Sequence, residues 1–129
     1  MKIVSIDIGL KRIGVAISLD QNIVTPLKAV IRKNRNQASL EVKTLLSQWN
    51  TDKLVVGVPV DSSNSDEMRR RFEHFVNLIQ FSGEVIYQDE TLSSFEAKEL
   101  MKGEMKTKRD GRIDSLSAKI VLERYLETI

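Results

Sequence analysis

The sequence has no cysteine and a single histidine, and both features narrow the chemistry that it can support. Without cysteine there is no disulfide framework and no thiolate site for a metal ion. The one histidine, His74, lies off the apolar stripe of its predicted helix, so we expect it to be exposed and neutral to function. Most zinc sites and the Ser-His or Cys-His nucleophile systems are thereby removed from consideration. Any chemistry must rest on carboxylates.

Long apolar runs and aromatic residues are also scarce. No run reaches the ~18 apolar residues of a membrane span. The chain opens with MKIVSIDIG, which has the pattern of a strand and not of a signal peptide. We therefore expect a cytoplasmic protein. Aromatic residues make up 5% of the chain, which argues against a large platform for stacking bases.

The residues that are present suit one globular domain with several basic clusters. The 129 residues are close to the usual size of a domain, and we expect a single domain over 1–129. The net charge is only +2, but basic residues are grouped. The groups are Lys11 and Arg12; Lys28, Arg32, Lys33 and Arg35; and Lys106, Lys108, Arg109 and Arg112. Such groups suit phosphate backbones, although a solvated loop is the alternative for each of them.

Hydrophobic periodicity predicts the element order β-β-β-α-β-α-β-α-α. The predicted strands are 2–8, 12–19, 26–32, 53–58 and 84–88, and the predicted helices are 36–49, 65–81, 93–102 and 113–128. Short links make the first three strands antiparallel, whereas helical crossovers make the later pairs parallel. We expect an α/β fold with a mixed five-stranded sheet, three antiparallel strands then two parallel, and helices on both faces.

The first predicted strand carries a carboxylate where a buried strand should not have one. Alternation places Val4, Ile6 and Ile8 on one face and Ile3, Ser5 and Asp7 on the other. Apolar residues on both faces indicate a central strand, in which an unpaired carboxylate costs several kcal/mol. Asp7 must therefore be paired, protonated or bound to a cation; a structural or turn-forming aspartate is the simpler alternative.

Three further carboxylates stand out by position. Asp89 and Glu90 follow the last predicted strand at its carboxyl end, where ligands bind in open α/β sheets. Asp114 opens the last helix on the same face as Ala118 of the apolar stripe. An exposed turn at Asp89-Glu90 and an N-cap at Asp114 are the simpler alternatives. Together with Asp7, however, such groups could hold two Mg²⁺ ions about 4 Å apart for phosphodiester cleavage.

Four blocks of the sequence resemble the YqgF family, also called RuvX, of RNase H-like nucleases. The blocks are DIGLKRIGVAIS at 7–18, VVGVPV at 55–60 with EMRRRFEHF at 67–75, DETLSS at 89–94 and IDSLSAKIVLERYL at 113–126. The resemblance implies an RNase H-like fold and a metal-dependent nuclease that takes part in maturation of precursor 16S rRNA and thus in ribosome biogenesis. Thr91 stands where the family usually has arginine, which removes a possible phosphate contact.

Carried over residue by residue, the resemblance implies that Asp7, Glu90 and Asp114 are both the catalytic residues and the ligands of Mg²⁺ or Mn²⁺, with two ions expected. Asp7 would bridge the ions. Whether Asp89 joins or replaces Glu90 stays open. We expect the phosphate backbone to be held by Lys11, Arg12, Lys106, Lys108, Arg109 and Arg112.

Several alternatives to this function stay open. The expected partner is nucleic acid, with structured RNA favoured over DNA, in a ribosomal precursor particle and not at a membrane. Endonuclease and exonuclease, and monomer and homodimer, are not distinguished. A resolvase of Holliday junctions would use the same site, and a non-catalytic ribosome-assembly or transcription factor could keep the fold. An actin-like phosphate-binding ATPase would need two such domains.

Overall fold

The computed structural model describes residues 1–59, 65–91, 93–101 and 111–129, and every described element has a predicted counterpart. All boundaries lie within two residues of the predicted ones. The strands are β1 (Ile3–Ile8), β2 (Arg12–Ser18), β3 (Val24–Ile31), β4 (Lys53–Val58) and β5 (Glu84–Asp89). The helices are α1 (Arg35–Gln48), α2 (Ser65–Ile79), α3 (Ser93–Met101) and α4 (Arg112–Leu126).

The five strands form one mixed sheet in the order β3-β2-β1-β4-β5. The β1–β2 and β2–β3 pairs are antiparallel, and the β1–β4 and β4–β5 pairs are parallel. The predicted α/β architecture is thereby confirmed. Short turns join the antiparallel strands and helices make the parallel crossovers, as their lengths require. β1 is the central strand, so the carboxylate predicted on it lies in the middle of the sheet.

Helices cover the sheet on both faces, and the alternation along β1 decides which residues meet which helices. Val4, Ile6 and Ile8 belong to the larger core, to which α1 and α2 contribute. Ile3 packs on the opposite face with residues of α4. Asp7 therefore lies on the α4 side, as the alternation predicts. α3 in turn packs against α4 through Ala97, which is fully buried beside Ile113 and Ile120.

The largest boundary difference in the sheet is at β3, which begins at Val24 and not at residue 26. Pro26 lies inside the strand and pairs with Ala16 of β2. Because β3 is an edge strand, a proline without an N–H is compatible with it. Within the described ranges, no helix is long and apolar enough to cross a membrane.

Candidate active site

The carboxylates of Asp7 and Glu90 form a hydrogen-bonded pair on the α4 side of the sheet. Asp7 is the last but one residue of β1, and its neighbours in register are Gly14 of β2 and Gly57 of β4. Glu90 follows directly after β5, and its backbone N–H donates to the carbonyl oxygen of Val58 at 3.0 Å. The carboxyl ends of three adjacent parallel strands thus bring two acids into contact that are far apart in the sequence.

Two strand glycines make room for the groups that surround Asp7. A Cβ at Gly57 would lie 3.0 Å from Oε2 and 3.2 Å from Cβ of Glu90. A Cβ at Gly14 would lie only 1.9 Å from the backbone oxygen of Asp114. One glycine therefore seats the Glu90 side chain, and the other lets the first turn of α4 approach the sheet. Glycine inside a strand is a sequence signal for such an approach, although neither glycine was among the predicted site residues.

Burial and mutual repulsion set the charge of the acid pair. Burial raises the pKa of Asp7, the hydrogen bond with Glu90 lowers it, and the charge of Asp114 raises it again. Burial, helped by the hydrogen bond with Asp7 and by its charge, raises the pKa of Glu90 to about 9. Glu90 is therefore protonated at neutral pH and donates to Asp7. Two buried carboxylates in contact share one proton unless a cation replaces it.

Asp114 lies in the first turn of α4, where Arg12 contacts it. Nε of Arg12 donates to Oδ2 of Asp114 at 2.8 Å. The N-cap is Gly111, with a φ of 100°, so the N-cap alternative for Asp114 is excluded. A Cβ at Gly111 would lie 2.6 Å from the Cβ of Ala29, which explains why glycine precedes this helix. A carboxylate in the first turn also complements the helix dipole.

Two buried hydrogen bonds fix α4 against the central strands. The Oγ of Ser115 accepts from the N–H of Val15 at 3.2 Å. The Oγ of Ser5 donates to the carbonyl oxygen of Ala118 at 2.7 Å. Because Ser5 and Asp7 lie on the same face of β1, this anchoring also sets the height of Asp114 above the acid pair.

Asp89 is part of a turn and does not join the pair. Its Oδ1 accepts from the N–H of Thr91 at 2.9 Å and from the Thr91 hydroxyl. These bonds lower the pKa of Asp89. Arg124 donates to the Asp89 carbonyl oxygen at 3.2 Å. Of the two neighbouring acids, Glu90 is therefore the one that contacts Asp7, and Thr91 has a local structural role.

The other sequence-predicted residues are only partly gathered at this site. Lys11 and Arg112 are exposed, and so is His74, as predicted. Lys106, Lys108 and Arg109 lie outside the described residues. Over the ranges that the structure describes, no group of three or more His, Asp or Glu side chains is close enough to hold one metal ion. Asp7 and Glu90 form the pair, and Asp114 is held beside it by Arg12.

Comparisons with known proteins agree on the family and the fold. A family model described as RuvX, Holliday junction resolvase, matches residues 1–128. A relative from Sulfurimonas denitrificans is 59% identical over 126 residues, which cover 98% of this chain and 97% of the relative. A relative from Helicobacter pylori is 42% identical over 132 aligned positions, 98% of this chain and 96% of the relative. Both are named as candidate pre-16S rRNA nucleases.

Two solved structures share the architecture at low sequence identity. The Holliday junction resolvase of fowlpox virus is 16% identical with a TM-score of 0.60, and the alignment covers all of both chains. RuvC of T. thermophilus, solved with a Holliday junction substrate, is 10% identical with a TM-score of 0.61 over 99% of this chain and 94% of that chain. These neighbours confirm the RNase H-like fold that the sequence predicts.

Proposed function

The chain belongs to the RuvX family, and from that premise we propose that it is a metal-dependent nuclease that cleaves phosphodiester bonds of precursor 16S rRNA. The names of its relatives support this substrate. Such work would take place in the cytoplasm. The observation that carries the chemistry is the hydrogen-bonded pair of Asp7 and Glu90 at the carboxyl end of the parallel strands.

The donor set fits a hard divalent cation. Two partly buried carboxylates in contact repel each other when both are ionised, and Mg²⁺ or Mn²⁺ would compensate that repulsion. Every side-chain donor in the pair is an oxygen, which is the ligand type such ions prefer. When bound, the ions supply positive charge for the phosphoryl oxygens and lower the pKa of water. Asp7 and Glu90 would hold them.

Asp114 is the third member of the proposed site, and Arg12 links it to substrate binding. The charge of Asp114 already acts on Asp7, so the two side chains are neighbours. A metal ion that binds Oδ2 of Asp114 would displace the hydrogen bond from Arg12. The guanidinium of Arg12 would then be available for a backbone phosphate, with exposed Lys11 and Arg112 beside the same turn and helix.

Cleavage assays on two substrates test this proposal. Purified protein with Mg²⁺ or Mn²⁺ is given a precursor 16S rRNA fragment and, side by side, a four-way DNA junction. We expect cleavage of the RNA. Cleavage of the junction alone would favour the second candidate, a Holliday junction resolvase, which the description of the family supports.

Variants then assign the activity to the site. Asp7→Asn, Glu90→Gln and Asp114→Asn should each reduce cleavage to near background, and combinations should lose little more because the residues act as a unit. Binding of nucleic acid should survive, since each change removes a negative charge that would face phosphate. Lys43→Ala, an exposed position on α1 away from this site, is the control and should cleave like the wild type. Activity that persists in Asp7→Asn would contradict the proposal.

A further inference from the structure

A cleft of about 880 Å³ opens on the face of the sheet opposite α4. It lies between the β1–β2 turn, the segment that joins β3 to α1, and α2. Its rim carries Arg32, Arg35, Arg70 and Arg71, and its floor is apolar. None of these arginines belongs to the site around Asp7. The volume is in the range of a ligand-binding cleft.

Positive charge in this cleft exceeds negative charge. Among the described residues that line it, Glu67 is the one carboxylate, and it pairs with Arg71 at 2.8 Å. Arg35 and Arg70 are exposed, and neither has a carboxylate partner in the part of the chain that the structure describes. Burial and the nearby charge of Arg35 lower the pKa of Arg32. The rim is therefore an uncompensated cationic surface, which attracts anions.

Arg32 is held in place at the back of the cleft. Its NH1 group donates to the carbonyl oxygen of Gly9 at 2.7 Å, and its guanidinium lies 5.2 Å from the centre of the Phe75 ring. Both contacts restrict a side chain that is otherwise flexible, so less entropy is lost when it binds an anion. Through Gly9, the cleft also touches the turn that directly follows the strand of Asp7.

We propose that this cleft binds a backbone phosphate of the nucleic-acid strand that leaves the Asp7–Glu90 pair, with Arg35 and Arg70 as its exposed contacts. The inference rests on the proposed function. Gly9 is two residues from Asp7, so their Cα atoms are at most ~7 Å apart. The cleft and the acid pair therefore meet at the carboxyl end of β1 and lie on opposite faces of the sheet, so a strand that passes over this end of the sheet would reach both. Arginine is also the residue best shaped for phosphate oxygens.

The test compares two double variants with the same loss of charge. The cleft variant, Arg35→Ala with Arg70→Ala, removes the proposed contacts from α1 and α2. Lys43→Ala with Arg69→Ala removes one cation from each of the same helices outside the cleft, since Lys43 lines a different surface pocket and Arg69 lies over Tyr87. Binding of a fluorescent unstructured RNA is measured over a range of salt concentrations in EDTA, so that no cleavage occurs. Thermal unfolding confirms that both variants are folded.

We expect the plot of log affinity against log salt to be flatter for the cleft variant by about 1.4, which corresponds to two lost phosphate contacts on a single strand. The control variant should keep the wild-type slope. The double variant Arg35→Lys with Arg70→Lys, which keeps both positive charges, should have a slope close to that of the wild type. Equal slopes for the two alanine variants would overturn the proposal.

Two further measurements distinguish a phosphate ligand from an acidic protein segment, and the cleft from the acid pair. The first measurement is the binding of poly-glutamate. If the cleft variant loses poly-glutamate binding but binds RNA like the wild type, the cleft is a site for an acidic protein segment and the proposal is overturned. Metal-dependent cleavage by the wild type is measured separately. If cleavage is present and the cleft variant binds RNA normally, the cleft proposal fails alone; if the wild type never cleaves, the proposed function fails.

Discussion

Arg12 and Asp114 are 102 positions apart in the sequence, and Nε of Arg12 donates a hydrogen bond to Oδ2 of Asp114 at 2.8 Å. Their side chains are only 18% and 31% exposed. Arg12 was expected to bind phosphate and Asp114 to bind a metal ion, yet in the protein alone each is the partner of the other. A metal ion at Oδ2 of Asp114, or a phosphate at Nε of Arg12, would therefore compete with this contact.

The first prediction follows from this competition. Arg12→Ala should lower the free energy of unfolding by roughly 1 kcal/mol or more, because it removes a charged hydrogen bond that is half-buried. The rise of the unfolding midpoint with Mg²⁺ should then be larger than in the wild type, since Asp114 is released. Thermal unfolding over a Mg²⁺ titration measures both effects.

The matched control for this variant is Lys119→Ala. It breaks a more exposed pair with Glu123 on the same helix, so its stability cost should stay below about 1 kcal/mol and its response to Mg²⁺ should be that of the wild type. A weaker response to Mg²⁺ in Arg12→Ala would contradict the prediction and would mean that Arg12 holds Asp114 in position.

The second prediction concerns the acid pair itself. Millimolar Mg²⁺ or Mn²⁺ should stabilise the wild-type protein, because a ligand of the native state always does so and a cation relieves repulsion between Asp7 and Glu90. Asp7→Asn should lose most of that gain, while His74→Ala should keep it. Calorimetry measures the unfolding midpoint of each protein with and without the metal ion. An equal gain in the wild type and Asp7→Asn would mean that no metal ion binds at Asp7.

The third prediction uses the raised pKa of Glu90. The group has a pKa of about 9 in the folded protein against an ordinary value of 4.5, so between these values the native state holds a proton that the unfolded chain has released. Stability of the metal-free protein should therefore fall as the pH rises from about 5 to about 9. Glu90→Gln, which cannot ionise, should reduce this fall by at least about 1 kcal/mol. Urea unfolding at several pH values measures the free energy of unfolding of both proteins. If stability falls equally with pH in the wild type and in Glu90→Gln, the prediction is wrong.

The sequence predicts the order of elements well because the signals for it are local. Alternation in β1 shows which face Asp7 occupies, and apolar spacing shows that Ala118 and Asp114 share one side of α4. Link lengths decide which strands are parallel. Each of these signals is read within a few residues of chain, and the structure confirms the order, the pairing and the two-faced packing.

Contacts between distant elements are less accessible from the sequence. The choice between Asp89 and Glu90 depends on the direction in which the chain leaves β5, and the Thr91 hydrogen bonds that fix this turn have no periodic signal. The partner of Asp114 is Arg12, which lies 102 positions earlier in the chain, and no local pattern links the two. Gly14 and Gly57 are the sequence signal for these contacts, because glycine inside a strand indicates that another group approaches the strand closely.

The fourth prediction distinguishes the two glycines beside Asp7. Gly14→Ala should be severely destabilising, by about 3 kcal/mol, because the added Cβ would lie 1.9 Å from the backbone oxygen of Asp114 and α4 would have to move. Gly57→Ala should cost about 1 kcal/mol or less. Its Cβ would lie 3.0 Å from Oε2 and 3.2 Å from Cβ of Glu90, and 3.2 Å from Cγ2 of Val121. All three atoms belong to side chains, which can shift where a helix backbone cannot.

The same two variants should separate stability from chemistry. In Gly57→Ala the displaced Glu90 leaves Asp7, so the fall of stability with pH should shrink and cleavage should drop, although the protein stays folded. Urea unfolding at several pH values measures the change in stability, and the cleavage assay measures the change in activity, on the same preparation. If Gly14→Ala is as stable as the wild type, the close approach of α4 to β2 is wrong. If Gly57→Ala keeps the full pH dependence and activity, the contact between Glu90 and Asp7 does not depend on the space above Gly57. Glu90 would then be positioned by the hydrogen bond of its backbone N–H to Val58.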